Sequence, residues 1–537
     1  MKNRYKLIFF LLISCVSFVS CDELLDVTPD EVLLEEDYLG TDGVEARSAL
    51  FGILSQLQDV SKQYLVLGEL RADLMDVTDK SVDELRQLNN HEVAAGNSLT
   101  DPTELFSIIN NCNFALQGID TLAHDNELIN VYASILRVRT WAHLQIGINA
   151  GAVPYITEPI SSVEDLEKEY PLLTLDQALE KMIEALIPFQ NVENVTTYEN
   201  SLSNEIYRLI PDKDILLGDL YLWAKDYAMA ATSYKLFLDS HISGGGNTYN
   251  LTSQYYISFA SNTSSSGTVN WISIFDEDVA TSEVINYIPF TLQYRQPNTA
   301  YALVEDYQVK PSMAIVENWM SQVRLAVDLT TAFVDYRYYL STTNDGEGLA
   351  IRKYQYDYMI LCRAANVWLK YAEAINRAGY PLHALYVLNQ GPKDVPTAIG
   401  APRFIENAES FLNFTQTKYY TVSSGVSSKG NLGVRGRAGL QPQVIYDAAS
   451  QADSIYQVEM FILNESALET AFEGNRWGDL VRISLRNDDS SILAEAVSGK
   501  FTASGSPLAE SVKAKLLDRD NWYLDMDIPS NVITVTE

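Results

Sequence analysis

The sequence predicts an all-α, tetratricopeptide-like helical body that carries long, irregular, loop-rich insertions. Three observations carry that expectation. Apolar residues recur at helical spacing through the first 240 residues. Two separate segments match the tetratricopeptide core, and the stretches between and after them change composition abruptly. Of 537 residues, 47% are hydrophobic and 20% charged, so a large core is available and disorder is excluded as the main state.

The N-terminus reads as a processing signal. Lys2, Arg4 and Lys6 precede an apolar run from Leu7 to Val19. That run falls short of the roughly 18 residues that span a bilayer, so it reads as a signal-peptide core. Ser20-Cys21 then resembles the end of a bacterial lipoprotein signal, with Cys21 as the lipidated residue. Leu12-Ile13-Ser14-Cys15 is a competitor that leaves too short a core before it, and an ordinary secretory signal cut nearby is the bland alternative. The expected organisation is a signal peptide over 1–20 and a single domain over 21–537. No other segment is long and apolar enough to cross a membrane.

The helices follow in order. Asp42 to Glu45 has capping-box spacing, with Ala46, Leu50, Ile53, Leu54 and Leu57 at helical period behind it. Asp101-Pro102-Thr103-Glu104 predicts a helix start with Asp101 as N-cap and Pro102 in the first helical position. Leu105, Ile108, Ile109, Cys112, Leu116 and Ile119 form its buried stripe. A third helix covers about 127–148 and stops at Gly151 and Pro154. Leu217-Gly218-Asp219-Leu220-Tyr221, with Ala230 and Tyr234, fits one tetratricopeptide unit. Ala364-Ala365, Trp368 and Tyr371 to Ala374, with Ala384 and Leu388, form a second, turning at Gly379-Tyr380-Pro381. Such scattered repeats predict a solenoid with insertions, at about 241–360 and 391–445.

Charge and motif content exclude several functions. With 38 basic against 71 acidic residues, the net charge is −33, which repels phosphate backbones, so no nucleic-acid partner is expected. Five histidines form no HExxH pair and four cysteines no CxxC pair, so no metal site is expected. Cys112 and Cys362 are read as buried thiols on helix faces, with a disulfide between them left open. Gly425 to Gly430 has phosphate-loop glycine spacing, but Asn431-Leu432 stands where Lys-Ser/Thr is required. No cofactor is expected. Arg435 and Arg437 read as carbonyl or carboxylate clamps inside the fold. The densest constellation, Glu465 to Arg482, admits an enzyme reading with Glu473 as acid and Asp479 as base. The favoured reading is structural: acids pair with Arg476 and Arg482 while Phe472 and Trp477 pack.

That segment resembles the C-terminal signature of the SusD/RagB family, nutrient-binding lipoproteins of Bacteroidetes outer membranes. The resemblance runs in family order through Cys21 with Leu24-Leu25-Asp26, Glu69-Leu70-Arg71-Ala72-Asp73, Ile109-Asn110-Asn111-Cys112-Asn113 and Arg139-Thr140-Trp141-Ala142. It continues through Tyr371 to Gly379 and Trp522-Tyr523-Leu524. Thr470 and the Asp525-Met526-Asp527 run depart from the usual pattern. The resemblance implies a SusD-like all-α fold and no catalytic residues. It implies a lipid-anchored, surface-exposed protein of the outer membrane. Such a protein captures oligosaccharides, or peptides in the RagB branch, for a SusC-like TonB-dependent barrel.

The family's contacts vary, so candidate ligand residues rest on chemistry. Sugar C–H faces stack on exposed Trp and Tyr, and hydroxyls need polar forks. Trp271, Tyr294, Arg295, Tyr301, Trp319, Tyr336 and Tyr338 lie in the insertion outside clear repeat stripes. Arg71, Asp73 and Asp76 follow the first helices, where the family often brings a loop to the pocket. Two rivals remain: a tetratricopeptide scaffold for protein partners, and a secreted acidic glycosidase.

Overall fold

The computed structural model describes residues 43–119, 126–196, 206–240, 242–243, 246–247, 251, 271–276, 283–290, 297–325, 331–354, 358–392, 402–404, 407–414, 422–423, 426–427, 431–526 and 532–534. The signal peptide, Cys21, Tyr294 and Arg295 lie outside them.

The N-terminal part is helical. α1 (Gly43–Leu65) continues through a π-helical turn, Val66–Leu70, to β1 (Met75–Val77) and α2 (Asp83–Asn89). α3 (Thr103–Gly118) and α4 (Asn126–Ala150) pack on α1 and on each other. Ala46, Leu50, Ile53, Leu54 and Leu57 are all buried, as their period requires. The α3 start sits one residue later than expected, with Pro102 in the cap position. Asp101 Oδ1 still accepts the Thr103 N–H at 2.9 Å, so the aspartate satisfies a first-turn donor.

β2 (Ala152–Pro154), α5 (Val163–Leu166), β3 (Tyr170–Thr174) and α6 (Leu175–Leu186) follow. α6 begins at a capping box in which Thr174 and Gln177 satisfy each other's backbone N–H. β3 pairs antiparallel with β2 and parallel with β15 (Val532–Thr534).

α7 (Lys213–Trp223) and α8 (Tyr227–Ser240) form the first tetratricopeptide pair. Gly218 is required there, because a Cβ would stand 2.6 Å from the Tyr234 ring. Tyr234 in turn donates to Asp219 at 2.6 Å. α13 (Ala364–Arg377) and α14 (Pro381–Gln390) form the second pair, and α13 packs on α8. Gly379, at φ +99°, makes the turn between them.

The insertion between the pairs holds more regular structure than its composition suggested. It runs through β4 (Ile242–Ser243), β5 (Gly246–Asn247), α9 (Ser273–Asp276), β6 (Val284–Pro289), α10 (Thr299–Glu305) and β7 (Val309–Pro311). It continues with α11 (Met313–Ser321), β8 (Val323–Leu325), β9 (Thr331–Phe333), α12 (Arg337–Ser341), β10 (Thr342–Asn344), β11 (Leu349–Ile351) and β12 (Tyr358–Arg363). Cys362 therefore lies on a strand, not on a helix. Its run Tyr358-Met359-Ile360-Leu361 supplies the apolar, β-favouring side chains that pair with β6. Cys112 and Cys362 are both free, and burial pushes each thiol up to about 12.

After β13 (Val422–Ser423) and β14 (Val426–Ser427), the chain returns to helix: α15 (Val434–Arg437), α16 (Gln451–Thr470), α17 (Arg476–Asn487), α18 (Ser490–Ala503) and α19 (Ala509–Leu516). One continuous core joins the helices, and a smaller cluster around Trp271, Val284 and Tyr358 packs the insertion against Ala438 and Leu440. The described residues are mostly helical, an all-α body of tetratricopeptide type. Among them no helix is long and apolar enough to cross a membrane.

Candidate functional site

Two of the sequence's short motifs prove to be one joint. The Glu69 carboxylate accepts backbone N–H bonds from Phe472, Gly474 and Asn475 at 2.8–3.1 Å, closing the turn before α17. Arg71 donates to Asn149 at 3.0 Å and to the Trp522 carbonyl at 2.5 Å, and its guanidinium lies 4.0 Å over the Trp477 ring. Asp73 forms a two-pronged pair with Arg476 at 2.7 and 2.8 Å. The N-terminal motif thus clamps the C-terminal signature, and Arg71 and Asp73 are buried inside that clamp. Neither is presented to a ligand.

A second buried assembly ties the insertion to α16. Arg337 bonds Asp335 at 2.8 Å, Glu465 at 2.7 Å and Glu469 at 2.8 Å. Arg363 bonds Glu473 at 2.9 Å, Glu283 at 3.0 Å and Glu469 at 2.8 Å. Arg437 reaches Glu283 and Glu469 at 2.5 Å each, while Arg435 reaches Glu465 at 2.9 Å and Lys353 reaches Glu473 at 2.6 Å. Five cations face five carboxylates, so the network is neutral and self-contained. Burial alone would raise the Glu469 carboxyl. Arg437, Arg363 and Arg337 together hold it well below the usual carboxylate range. Glu473, the acid of the enzyme reading, is bound here by Lys353 and Arg363. Asp479 accepts from Arg482 at 2.8 Å.

The insertion's two tryptophans belong to the same interior. Trp271 is fully buried, its indole N–H donating to Glu469 at 3.1 Å. Trp319 is fully buried and donates to the Leu468 carbonyl at 3.0 Å. Both large rings fill core volume, each with its indole N–H satisfied. Their burial removes them as stacking surfaces in this conformation. Tyr301 is half-buried on α10 against the main core, and Tyr336 and Tyr338 are half-buried at α12.

Asp76 alone of the early-loop candidates reaches solvent, and it leads to the site. β1 pairs antiparallel with β7 so that Asp76 stands opposite Lys310. These two, with the loop to Lys80, the end of α2, Tyr307 and Glu347, line a cleft of about 450 Å³. Its walls are stitched together. The Thr78 and Ser81 hydroxyls donate to the carbonyls of Tyr307 and Gln308, fixing the early loop to the insertion. Lys80 pairs with Glu347 at 3.2 Å across the rim, with both side chains half-exposed or more.

Tyr307 is held at φ +51°, a left-handed conformation that is uncommon for a tyrosine. Its hydroxyl lies where a Cβ on Gly348 would be 2.2 Å away, so only glycine admits the ring there. One oxygen of Asp76 accepts the Val77 N–H at 2.8 Å. The Lys310 side chain makes no hydrogen bond or ion pair among the described residues. Beneath the cleft, Lys500 donates to the Leu70 carbonyl at 2.8 Å and to Asn89 at 2.9 Å. Burial lowers that ammonium to about 8. The cleft thus offers a ring, an amide, carboxylates and ammonium groups around open space. That mixture suits a polyhydroxylated ligand with apolar faces.

The sequence pointed to Asp76 and missed Tyr307, Lys310 and Glu347. The Asn344-Asp345-Gly346 turn of the β10–β11 hairpin carries Glu347 to the rim, a placement that the loop-rich expectation for 241–360 did not contain. Among the described residues no group of His, Cys, Asp and Glu is arranged to hold a metal ion.

No family model matches the chain. Its sequence is 23% identical to the SusD-like protein P38 of Formosa agariphila, over 88% of this chain and 90% of that one. Among solved structures, a SusD superfamily protein of Bacteroides vulgatus superposes with a TM-score of 0.61 at 15% identity, covering 90% of this chain and 95% of the other. A SusD superfamily protein of Bacteroides thetaiotaomicron gives 0.54 at 17%, covering 89% and 97%. A SusD-like carbohydrate-binding protein of Bacteroides vulgatus gives 0.52 at 14%, covering 82% and 83%. The fold class is that of a tetratricopeptide body with an inserted, strand-bearing block. Within that class the chain has the fold of SusD superfamily structures and is similar in sequence to a SusD-like protein.

Proposed function

We propose that the chain is a non-catalytic glycan-capture protein. Lipidated Cys21 holds it at the outer membrane, exposed on the cell surface, and it delivers oligosaccharide to a SusC-like TonB-dependent barrel. The observation that carries the reading is the cleft between the early loop and the insertion, with Asp76, Lys310 and Tyr307 facing one space. The binding described for its structural relative in Bacteroides vulgatus supports a sugar as the ligand. The acids that would serve a glycosidase are engaged in ion pairs, which supports capture without cleavage.

Calorimetric titration of the chain lacking residues 1–21 tests this, run against polysaccharides and oligopeptides with mass spectrometry of the mixture afterwards. Binding of intact glycan is the expected result. Peptide binding in its place moves the ligand to the RagB-like class, and cleaved glycan overturns the non-catalytic reading. Deleting the barrel partner should abolish uptake while glycan binding by this protein persists.

A further inference from the structure

The charges around the cleft form a balanced set. Among the described residues its lining carries three cations, Lys80, Arg86 and Lys310, and three carboxylates, Asp76, Asp79 and Glu347. Lys80 is engaged by Glu347 across the rim at 3.2 Å. Arg86 folds back on its own loop, donating to the Ser81 carbonyl at 3.1 Å and the Asp79 carbonyl at 2.8 Å. Lys310 stands opposite Asp76 in the register of β7 and β1, so a carboxylate shares its face of the ladder. Lys500 adds no reachable charge: it is buried on the Leu70 carbonyl and Asn89 and does not line the open space.

A site for acidic polymers has the opposite build. Carboxylate and sulfate groups are gripped by Lys and Arg that outnumber the local acids on one face. Here an anionic group entering the cleft meets Asp76 and the exposed Asp79 along with any cation. The body adds to that repulsion, because the chain's net charge is −33. Beside its charges the cleft offers neutral groups: the Asn89 and Asn90 amides, the Ser504 and Ser506 hydroxyls and the Tyr307 ring. Sugar hydroxyls bond such groups, and they also donate to carboxylates, which only accept. Asp76 and Asp79 thus favour a hydroxyl-bearing guest and oppose an acidic one.

We infer that the ligand of the cleft is an uncharged glycan, and that polymers bearing uronate or sulfate groups are excluded from it. The inference deepens the glycan-capture reading above and rests on it.

The test is an array of neutral, uronate-bearing and sulfated polysaccharides probed with the chain lacking residues 1–21. The strongest binder is then titrated at about 0.05 and 0.5 M sodium chloride. A neutral polymer is the expected binder, with affinity changing less than about twofold between the two salt levels. Asp79→Lys tips the lining toward positive charge. With its melting temperature unchanged, it should raise affinity for the acidic polymers by about fivefold or more. An acidic polymer as the strongest wild-type binder, or a loss of about tenfold with salt, overturns the inference and leaves glycan capture standing. No gain of acidic polymers by Asp79→Lys also overturns it, since charge in the cleft then excludes nothing. An array on which wild type binds nothing removes glycan capture as well.

Discussion

The ion network against α16 and the cleft beside β1 are built from the same residue types and differ in what those residues meet. In the network, five basic side chains and five carboxylates pair with one another out of water. In the cleft, the Lys310 side chain has no hydrogen-bond or ion-pair partner among the described residues, and nearby Lys500 is buried on a carbonyl and the Asn89 amide, making no ion pair among them. The first region holds the insertion to the body. The second leaves the Lys310 side chain turned to open space, where under the proposed function a ligand's hydroxyls would find a partner. Pairing and burial, not the presence of charge, separate a structural cluster from a binding one.

Unbalancing the network should have the largest effect. Glu469→Ala leaves Arg337, Arg363 and Arg437 underpaired in the interior, and an expected loss of about 3–5 kcal/mol should appear in denaturant unfolding. A loss under about 1 kcal/mol would show that the network is not closed to water.

Lys500 gives the next largest effect. Its folded-state value of about 8 lies below the ordinary lysine value of 10.5. The unfolded chain therefore keeps this proton to higher pH than the folded one, and stability rises between about pH 8 and 10.5. Across that window the gain is on the order of 3 kcal/mol. Melting curves of wild type and Lys500→Met over that range should diverge, with the variant lacking the rise.

Tyr307→Gly separates stability from binding at the cleft. Glycine relaxes the φ +51° backbone, so the melting temperature should hold or rise while glycan affinity falls by about tenfold. Unchanged affinity would take the ring out of the site. The smallest effect is expected for Lys80→Ala, because an exposed pair at 3.2 Å contributes under about 1 kcal/mol to stability.

The sequence exposed the helical body well, because helical period, capping residues and the Gly218 repeat core are local signals. Arg435 and Arg437 were legible as clamps from their type alone, and both end on buried carboxylates. The binding surface was far less legible. Trp271 and Trp319 drew attention as large aromatics in an irregular region, yet their rings pack against residues nearly 150 or more positions away in sequence. Arg71 and Asp73 were misplaced for the same reason: Trp477 under Arg71 and Arg476 on Asp73 lie some 400 residues on, in the C-terminal signature. Tyr307 and Lys310 carry no local pattern at all. They become a site only when β7 pairs with β1 and sets Lys310 opposite Asp76.

Capture of intact glycan in the cleft is tested by titrating the glycan bound by wild type into a chain carrying both Asp76→Ala and Lys310→Ala, with mass spectrometry of the ligand. Normal folding, uncleaved ligand and affinity lost by about a hundredfold are expected. Wild-type affinity in the double variant, or shortened glycan in the wild-type mixture, would contradict such capture.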